Sequence, residues 1–230
     1  MPMSANRLVL SLAASLCLHA ALLAWAGRTP AAPPDEPQPL AVLGRALRTR
    51  GILASVWFVS LPALLFGTLS VLAPLQLHAL GFDALAIGAT WLCAAGLEAL
   101  LSPVLGHLSD RVGRLLPLRA GLAASIVVVA LLPWPTSAYV LAGLVLCSGL
   151  SFGSFWTPAM SLMADAAEAR GLDYGYAFAL MNLAWAPGQA LGAAGSGALA
   201  AATRDAVPYL TLACLCALTL AALWRSTPSS

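Results

Sequence analysis

Glu98 is the residue whose position most clearly suggests chemistry. It is the only formally charged residue well inside a long apolar stretch, residues 84–106. An acid is costly to place inside a bilayer, so an intramembrane carboxylate is by default a candidate functional group. We therefore predict that Glu98 takes up a proton or contacts a cationic substrate. A structural acid, hydrogen-bonded to Asn182 or Gln189, is the alternative interpretation.

A second group of reactive residue types begins eight positions later, in the segment G-H-L-S-D-R-V-G-R from Gly106 to Arg114. Gly106 would let the preceding helix pack closely, and Gly113 would allow a tight turn into the next helix. Asp110 is placed to accept backbone N–H bonds at a helix N-terminus. Arg111 and Arg114 could pair with Asp110 or with anionic lipid headgroups. The simpler interpretation is a charged turn that only sets topology.

Small residues form a third pattern, near the end of the chain. Pro187 and Gly188 are followed by Gly192 and Gly195, so the glycines recur at spacings of four and three residues. This spacing predicts one smooth helix stripe for close helix contact, and Pro187 can bend the helix. A gating role and ordinary small-residue packing both fit the pattern.

Metal and cofactor chemistry find no support in the sequence. The cysteines all lie in apolar runs and form no CxxC pair, and the histidines are scattered. We therefore predict that the cysteines act as small apolar side chains, and we expect no metal, disulfide or cofactor. The five cysteines are residues 17, 93, 147, 214 and 216.

The composition indicates whether these residues lie in water or in a membrane. Sixty per cent of the 230 residues are hydrophobic and 9% are charged, whereas soluble domains carry about 25% charged residues. The mean hydropathy of +0.88 agrees. This excludes a soluble enzyme, and the net charge of +2 gives no reason to expect a nucleic-acid partner. The chain is predicted to be an all-α integral membrane protein.

Seven apolar runs are long enough to be counted as candidate spans, since a membrane helix needs roughly 20 apolar residues. The last six form a tight set, and the two spans between residues 120 and 164 are separated by a Pro-Trp-Pro turn at 133–137. Pro74 is expected to end the second span, and Pro158 the fifth. The spans are placed at about 8–26, 52–75, 84–106, 120–132, 138–164, 176–200 and 206–224.

A linker separates the first span from the other six. Residues 28–50 begin with a Pro-rich stretch that cannot be helical and end with Arg45, Arg48 and Arg50. If this linker is cytoplasmic, nine of the eleven arginines lie on the cytoplasmic side, as the positive-inside rule requires. A cleaved signal peptide ending at Ala24-Trp25-Ala26 is the alternative for the first run. Its length and the charge bias favour a retained span.

The Gly106–Arg114 segment resembles the G-x-L-[SA]-D-R-x-G-R loop of the major facilitator superfamily, which follows the second helix of each six-helix half. Leu115 departs from the pattern, because many members have a basic residue there. The stripe from Asn182 to Gly197 is similar, more loosely, to the Gly/Pro-rich fifth helix of a half, as in drug/proton antiporters. The resemblance implies that the loop is a gate, held and released during alternating access.

The resemblance also implies a domain organisation. Residues 51–225 would be the six-helix C-terminal half, residues 28–50 the cytoplasmic loop between halves, and residues 1–27 the last helix of the N-terminal half, with a short cytoplasmic tail at 226–230. The chain is then expected to need an N-terminal half or a second copy of itself, because the cavity of a facilitator lies between two halves.

The family's cavity-lining helices correspond to the second and fifth spans. The implied lining residues are Trp57 and Phe66 on one and Phe152 and Trp156 on the other, with Asn182 and Gln189 facing them. Such an apolar, aromatic lining suits hydrophobic or amphiphilic small molecules. The expected function is proton-coupled efflux by a multi-pass antiporter of the inner (plasma) membrane. A non-transporting scaffold and, less favoured, a membrane enzyme remain as alternatives.

Overall fold

The computed structural model of the protein describes residues 16–25 and 38–225. Residues 16–25 form one helix, and residues 38–225 form seven helices joined by short turns. The predictions for residues 8–15, for the Pro-rich part of the linker and for the tail at 226–230 lie outside them. The helices are α1 (Leu16–Trp25), α2 (Leu40–Ala46), α3 (Arg50–Ala79), α4 (Ala84–Val112), α5 (Leu115–Leu131), α6 (Ala138–Glu168), α7 (Tyr174–Ala202) and α8 (Ala206–Arg225).

Helix α1 belongs to one compact unit of the chain, and residues from Gln38 onward form the other. Within the second unit, α3 to α8 make a six-helix bundle. Helix α3 packs mainly on α7 and α6, α6 also packs on α4 and α5, and α8 packs on α5. The apolar core follows these seams, and its largest fully buried side chains include Tyr209, Phe152 and Phe155.

Four helices among the described residues are long and apolar enough to cross a membrane, judged by length and composition: α3, α4, α6 and α8. Helix α5 has 17 residues, which rise about 26 Å against a hydrocarbon core of about 30 Å. Helix α7 has 29 residues, but its many glycines and alanines lower its hydropathy. The expected all-α membrane fold with a six-helix half-bundle is confirmed.

Several predicted span ends are wrong, because helices continue through prolines. Helix α3 contains Pro62 and Pro74 and ends at Ala79, and α6 contains Pro158 and ends at Glu168. A proline removes one backbone bond, and neighbouring helices in a bundle can compensate for this loss. Asp165 and Glu168, expected in a loop, therefore lie in the last turn of α6.

The sequence predicts the turns more accurately than it predicts the ends of the spans. Gly113 has φ +84° and ends α4, as predicted for the tight turn before α5. The Pro-Trp-Pro segment separates α5 from α6, also as predicted. At the start of α4, Asp83 accepts a 2.8 Å bond from the Ala86 backbone N–H, which caps the helix. The short helix α2, in the basic part of the linker, was not anticipated.

Most of the positive charge lies at one end of the bundle. Helices α3, α5 and α7 begin there, and α4, α6 and α8 end there. Hydrogen bonds tie these ends together, from Arg114 to Asp165 and from Arg119 to the Leu223 carbonyl. Eight of the nine arginines in the described residues lie at this end, and Arg204 lies at the other. The eight are Arg45, Arg48, Arg50, Arg111, Arg114, Arg119, Arg170 and Arg225.

Candidate binding cavity

A cavity of about 280 Å³ opens between four helices of the bundle. Its walls combine three indole rings and a phenyl ring with one carboxylate, one amide and one hydroxyl. Helices α3, α4, α6 and α7 each contribute. The lining residues are Phe66, Ser70, Trp91, Glu98, Trp156, Trp185 and Gln189.

The aromatic wall is held by ring-to-ring packing across three helices. The rings of Trp156 and Trp185 have centroids 4.3 Å apart, and Phe66 lies 5.8 Å from Trp185. Phe66 also meets the buried Phe152 edge to face at 5.3 Å. Such pairs stabilise beyond their buried area, so this wall is preformed. Phe152 supports it from behind and is not itself among the residues that line the cavity.

Glu98 enters the cavity because α6 has a glycine opposite it. A Cβ atom on Gly153 would lie 2.9 Å from Glu98 Cγ and 3.1 Å from Oε1. The carboxylate is half-buried, and no side chain in residues 38–225 donates a hydrogen bond to it. Gln189 shares the cavity without bonding to Glu98, and the Asn182 amide donates to the Phe178 carbonyl of its own helix at 2.9 Å. The hydrogen-bonded alternative for Glu98 is therefore not observed.

Three of the predicted lining residues do not line this cavity: Phe152 lies behind the aromatic wall, and Trp57 and Asn182 lie elsewhere. Trp57 donates to Thr219 Oγ1 at 3.0 Å and lines a groove between α3 and α8, because nine residues, or two and a half turns, separate it from Phe66. Asn182 lines a neighbouring cavity of about 250 Å³ that shares Trp156 and Trp185 with the first. It is adjacent to the Glu98 cavity and does not face it.

The lining residues predicted from the sequence do not include Trp91, Trp185 or Ser70. Helical spacing offers a signal for two of these. Trp91 lies seven residues before Glu98 on α4, and Trp185 lies four residues before Gln189 on α7, so each pair shares a helix face. Ser70 follows Phe66 by four residues on α3 and donates to its own backbone, to the Gly67 carbonyl at 2.7 Å.

The Gly106–Arg114 segment is mostly helical, since α4 continues to Val112. Arg114 forms the ion pairs of this segment. It reaches Asp110 at 3.2 Å and Asp165 at 2.6 Å through Nε, with a second bond from Nη2 to Asp165 at 3.2 Å. The hydrogen bond to Asp165 and the two nearby carboxylates raise the pKa of Arg114 above its ordinary value.

Three expectations for this segment need correction. Asp110 pairs with Arg114 and does not cap α5, which begins without a side-chain capping hydrogen bond. The exposed Arg111 takes no part in the ion pairs seen among the described residues. A Cβ atom on Gly106 would meet nothing within 4 Å, so that glycine mediates no close packing within the described bundle.

In the small-residue stripe of α7, two of the glycines lie against α3. A Cβ atom on Gly192 would lie 2.3 Å from the Leu64 carbonyl oxygen, and one on Gly188 would lie 3.0 Å from the Ser60 oxygen. Both therefore allow α7 to approach α3. Gly195 is exposed and a Cβ there would meet nothing within 4 Å, so it is not part of the seam. Pro187 lies inside the helix on its exposed side.

The long apolar helices of the bundle define a multi-pass membrane protein, and the cavity between them contains a single carboxylate. A family model described as Major Facilitator Superfamily matches residues 5–188. The chain therefore belongs to the major facilitator superfamily, whose members are membrane transporters and not enzymes. No curated protein matches the chain significantly.

Proposed function

We propose that the chain forms one wall of a proton-coupled transporter that expels small hydrophobic or amphiphilic molecules from the cytoplasm across the plasma membrane. The observation that carries the proposal is the Glu98 carboxylate, which lies in an aromatic cavity with no hydrogen-bonding partner in the described bundle. A carboxylate in this position can exchange a proton for a cationic cargo, because either the proton or the cation neutralises its charge inside the membrane.

The lining of the cavity supports this class of cargo. Three tryptophans and a phenylalanine offer flat apolar surface and attract cations over their faces. The cavity contains no arginine or lysine, so an anionic cargo would lack a partner. Apart from the indole N–H groups, Gln189 and Ser70 provide the neutral polar groups of the lining, which is few for a sugar. A hydrophobic cation satisfies both the rings and the carboxylate.

We further propose that the open side of the cavity is covered by an N-terminal half or by a second copy of this chain. Lipid on that side would leave an ionisable group facing hydrocarbon, and such groups normally face a protein interior or water. Alternating access would then open the covered cavity to each side of the membrane in turn. The helix ends joined by Arg114 form the proposed gate. Their ion pairs would stabilise one of the two states, open to one side of the membrane.

Transport by inside-out vesicles tests this proposal. The vesicles would come from native cells in which the gene is deleted and then restored, so that any natural partner is present. We expect uptake of ethidium that a protonophore abolishes, and we expect Glu98→Gln to reduce it at least about tenfold. Glu98→Asp should retain part of the rate, and Ser102→Ala, one turn away, should retain all of it.

Gly153→Ala offers a second variant that leaves the carboxylate in place. The added methyl group would displace Glu98, so we expect slower transport at normal membrane levels. Gly143→Ala is the matched control, because a Cβ there meets nothing within 4 Å. Proton-coupled uptake at the wild-type rate in Glu98→Gln would overturn the assignment of Glu98.

A further inference from the structure

A second cavity of about 280 Å³ lies at the arginine-rich end of the bundle and is separate from the Glu98 cavity. Two guanidinium groups and one hydroxyl line it together with three apolar side chains. Helix α2, the start of α3 and the loop between α6 and α7 contribute to its walls. The lining residues are Val42, Arg45, Ala46, Thr49, Arg170 and Leu172.

The walls of this cavity are held in place by Gln38, just before α2. Its side-chain amide donates to the Gly171 carbonyl at 2.7 Å and accepts from the Asp173 backbone N–H at 3.1 Å. The Tyr176 hydroxyl donates to the Gln38 backbone carbonyl at 2.5 Å. These three bonds fasten the beginning of α2 to the α6–α7 loop, so the cavity is a built feature of the fold.

The position of Arg170 is also constrained. Its Nη1 donates to the Ala166 carbonyl at 2.9 Å, and its Nη2 would be 3.0 Å from a Cβ atom on Gly51. Glycine at position 51 therefore lets the guanidinium lie against the start of α3. The remaining guanidinium donors are left for another partner.

The charges of the cavity are not neutralised within the described residues. Both ion pairs found there belong to Arg114, so neither Arg45 nor Arg170 has a carboxylate oxygen within 4.0 Å. The Thr49 hydroxyl donates to the Ala46 carbonyl at 2.7 Å and keeps its lone pairs free. The apolar floor is well shielded, since Ala46 is 5% and Leu172 is 7% exposed.

We propose that this cavity binds a phosphate group, held by the Arg45 and Arg170 guanidinium groups. Guanidinium donors match phosphate oxygens in charge and in planar geometry. The first turn of α3 adds the positive end of its helix dipole, but the two arginines provide the main contacts. The group can come from a phospholipid headgroup or from free phosphate. This site is separate from the proposed transport cavity and does not depend on transport.

Exposed leucines beside the cavity favour the lipid source. Leu40 is 76% exposed and Leu53 is 51% exposed, and they lie on α2 and on the first turn of α3. The segment from Leu40 to Leu53 combines these leucines with Arg45, Arg48 and Arg50, as is typical of segments at the membrane interface, where anionic headgroups attract arginine. A phospholipid could therefore place its phosphate on the arginines and its acyl chains along these leucines.

Calorimetric titration of the purified full-length chain in detergent tests the site. The probes are inorganic phosphate and dihexanoyl phosphatidylglycerol, with dihexanoylglycerol as the phosphate-free control. We expect phosphatidylglycerol to bind and dihexanoylglycerol not to bind. Binding of both phosphate probes with equal affinity would identify a free-phosphate site, whereas binding of the lipid alone would identify a headgroup site.

Variants then connect the binding to the cavity. Arg45→Gln should raise the dissociation constant of phosphatidylglycerol about tenfold, the size expected for one charged hydrogen bond. The double variant Arg45→Gln, Arg170→Gln should abolish binding. Arg48→Gln is the matched control, because Arg48 lies in the same segment outside the cavity. Wild-type affinity in Arg45→Gln, or failure of both phosphate probes to bind the wild-type chain, would overturn the proposal. The Arg45 side chain makes no hydrogen bond in the described bundle, so its replacement should not affect folding.

Discussion

A single guanidinium joins the ends of three helices at the charged end of the bundle. Arg114 follows α4, precedes α5 and pairs with Asp165 at the end of α6. Its contact with Asp165 uses two hydrogen bonds, whereas that with Asp110 uses one, and the Asp110 side chain is 69% exposed. Bidentate pairs are the stronger kind. Asp165 is therefore the main partner, although the sequence pattern points to Asp110.

We expect Asp165→Asn to destabilise the purified protein more than Asp110→Asn. Because the groups are partly exposed, the coupling of Arg114 to Asp165 should be about 0.5–1 kcal/mol, near the upper end for surface pairs. A double-mutant cycle with Arg114→Gln, read from thermal unfolding in detergent, measures this coupling. Equal coupling for both acids would contradict the expectation.

The sign of the pH dependence follows from the raised pKa of Arg114. A raised pKa on a basic group gives a stabilisation that is complete below its ordinary value, which for arginine is already strongly alkaline. The contribution of the guanidinium is therefore constant across the physiological range. Salt should weaken the pair, because it lies near the surface.

At the scale of helices, the closest seam joins α3 and α7. Glycines on both sides remove the side chains that would separate them. A Cβ atom on Gly67 would lie 2.2 Å from the Gln189 carbonyl oxygen. Polar bonds cross the same seam, from Thr68 Oγ1 to the Gly192 carbonyl at 3.2 Å and from Ser60 Oγ to the Ala184 carbonyl at 3.1 Å. The seam fixes the distance of Gln189 and Trp185 from Phe66.

Gly192→Ala should lower the stability of the bundle by about 1–3 kcal/mol, the usual cost of overpacking. The new methyl group would meet the Leu64 backbone and could not be moved aside as a side chain could. Gly195→Ala on the same helix is the control. It should be neutral or slightly stabilising, because alanine is the better helix former. Thermal unfolding of both variants in detergent gives the comparison, and equal loss in both would refute this account of the seam.

At the scale of the whole molecule, charge is distributed asymmetrically along the bundle. The end with eight arginines also has Asp110, Asp165, Glu168 and Asp173, and it remains net positive. The opposite end contains Asp83, Arg204 and Asp205. The positive-inside rule therefore predicts that the arginine-rich end, with the proposed gate and the proposed phosphate cavity, faces the cytoplasm.

Reporter insertions test this orientation. Green fluorescent protein inserted in the turn at 169–173 should fluoresce, because that turn lies at the arginine-rich end. Alkaline phosphatase inserted in the turn at 203–205 should be active, since that turn faces outward. The exchanged insertions, with each reporter in the other turn, serve as controls and should be silent. Activity in the exchanged pair would show that the bundle has the opposite orientation.

The sequence by itself determined the membrane class, the six-helix set and the turns at Gly113 and 133–137, and it singled out Glu98, which lines the cavity. These follow from local composition and from backbone requirements, which short segments express alone. It could not determine where α3 and α6 end, because neighbouring helices decide whether a proline breaks a helix.

Only the tertiary structure decided which side chains share a cavity. Asn182 has a suitable residue type, but helix packing places it in the neighbouring cavity, and the same packing brings Trp156 and Trp185 from two helices to the Glu98 cavity. Arg114 pairs with Asp165 across 51 residues, and Arg45 meets Arg170 around one cavity although 125 positions separate them. Helix rotation and long-range packing depend on every partner at once, so no local pattern of residues contains them.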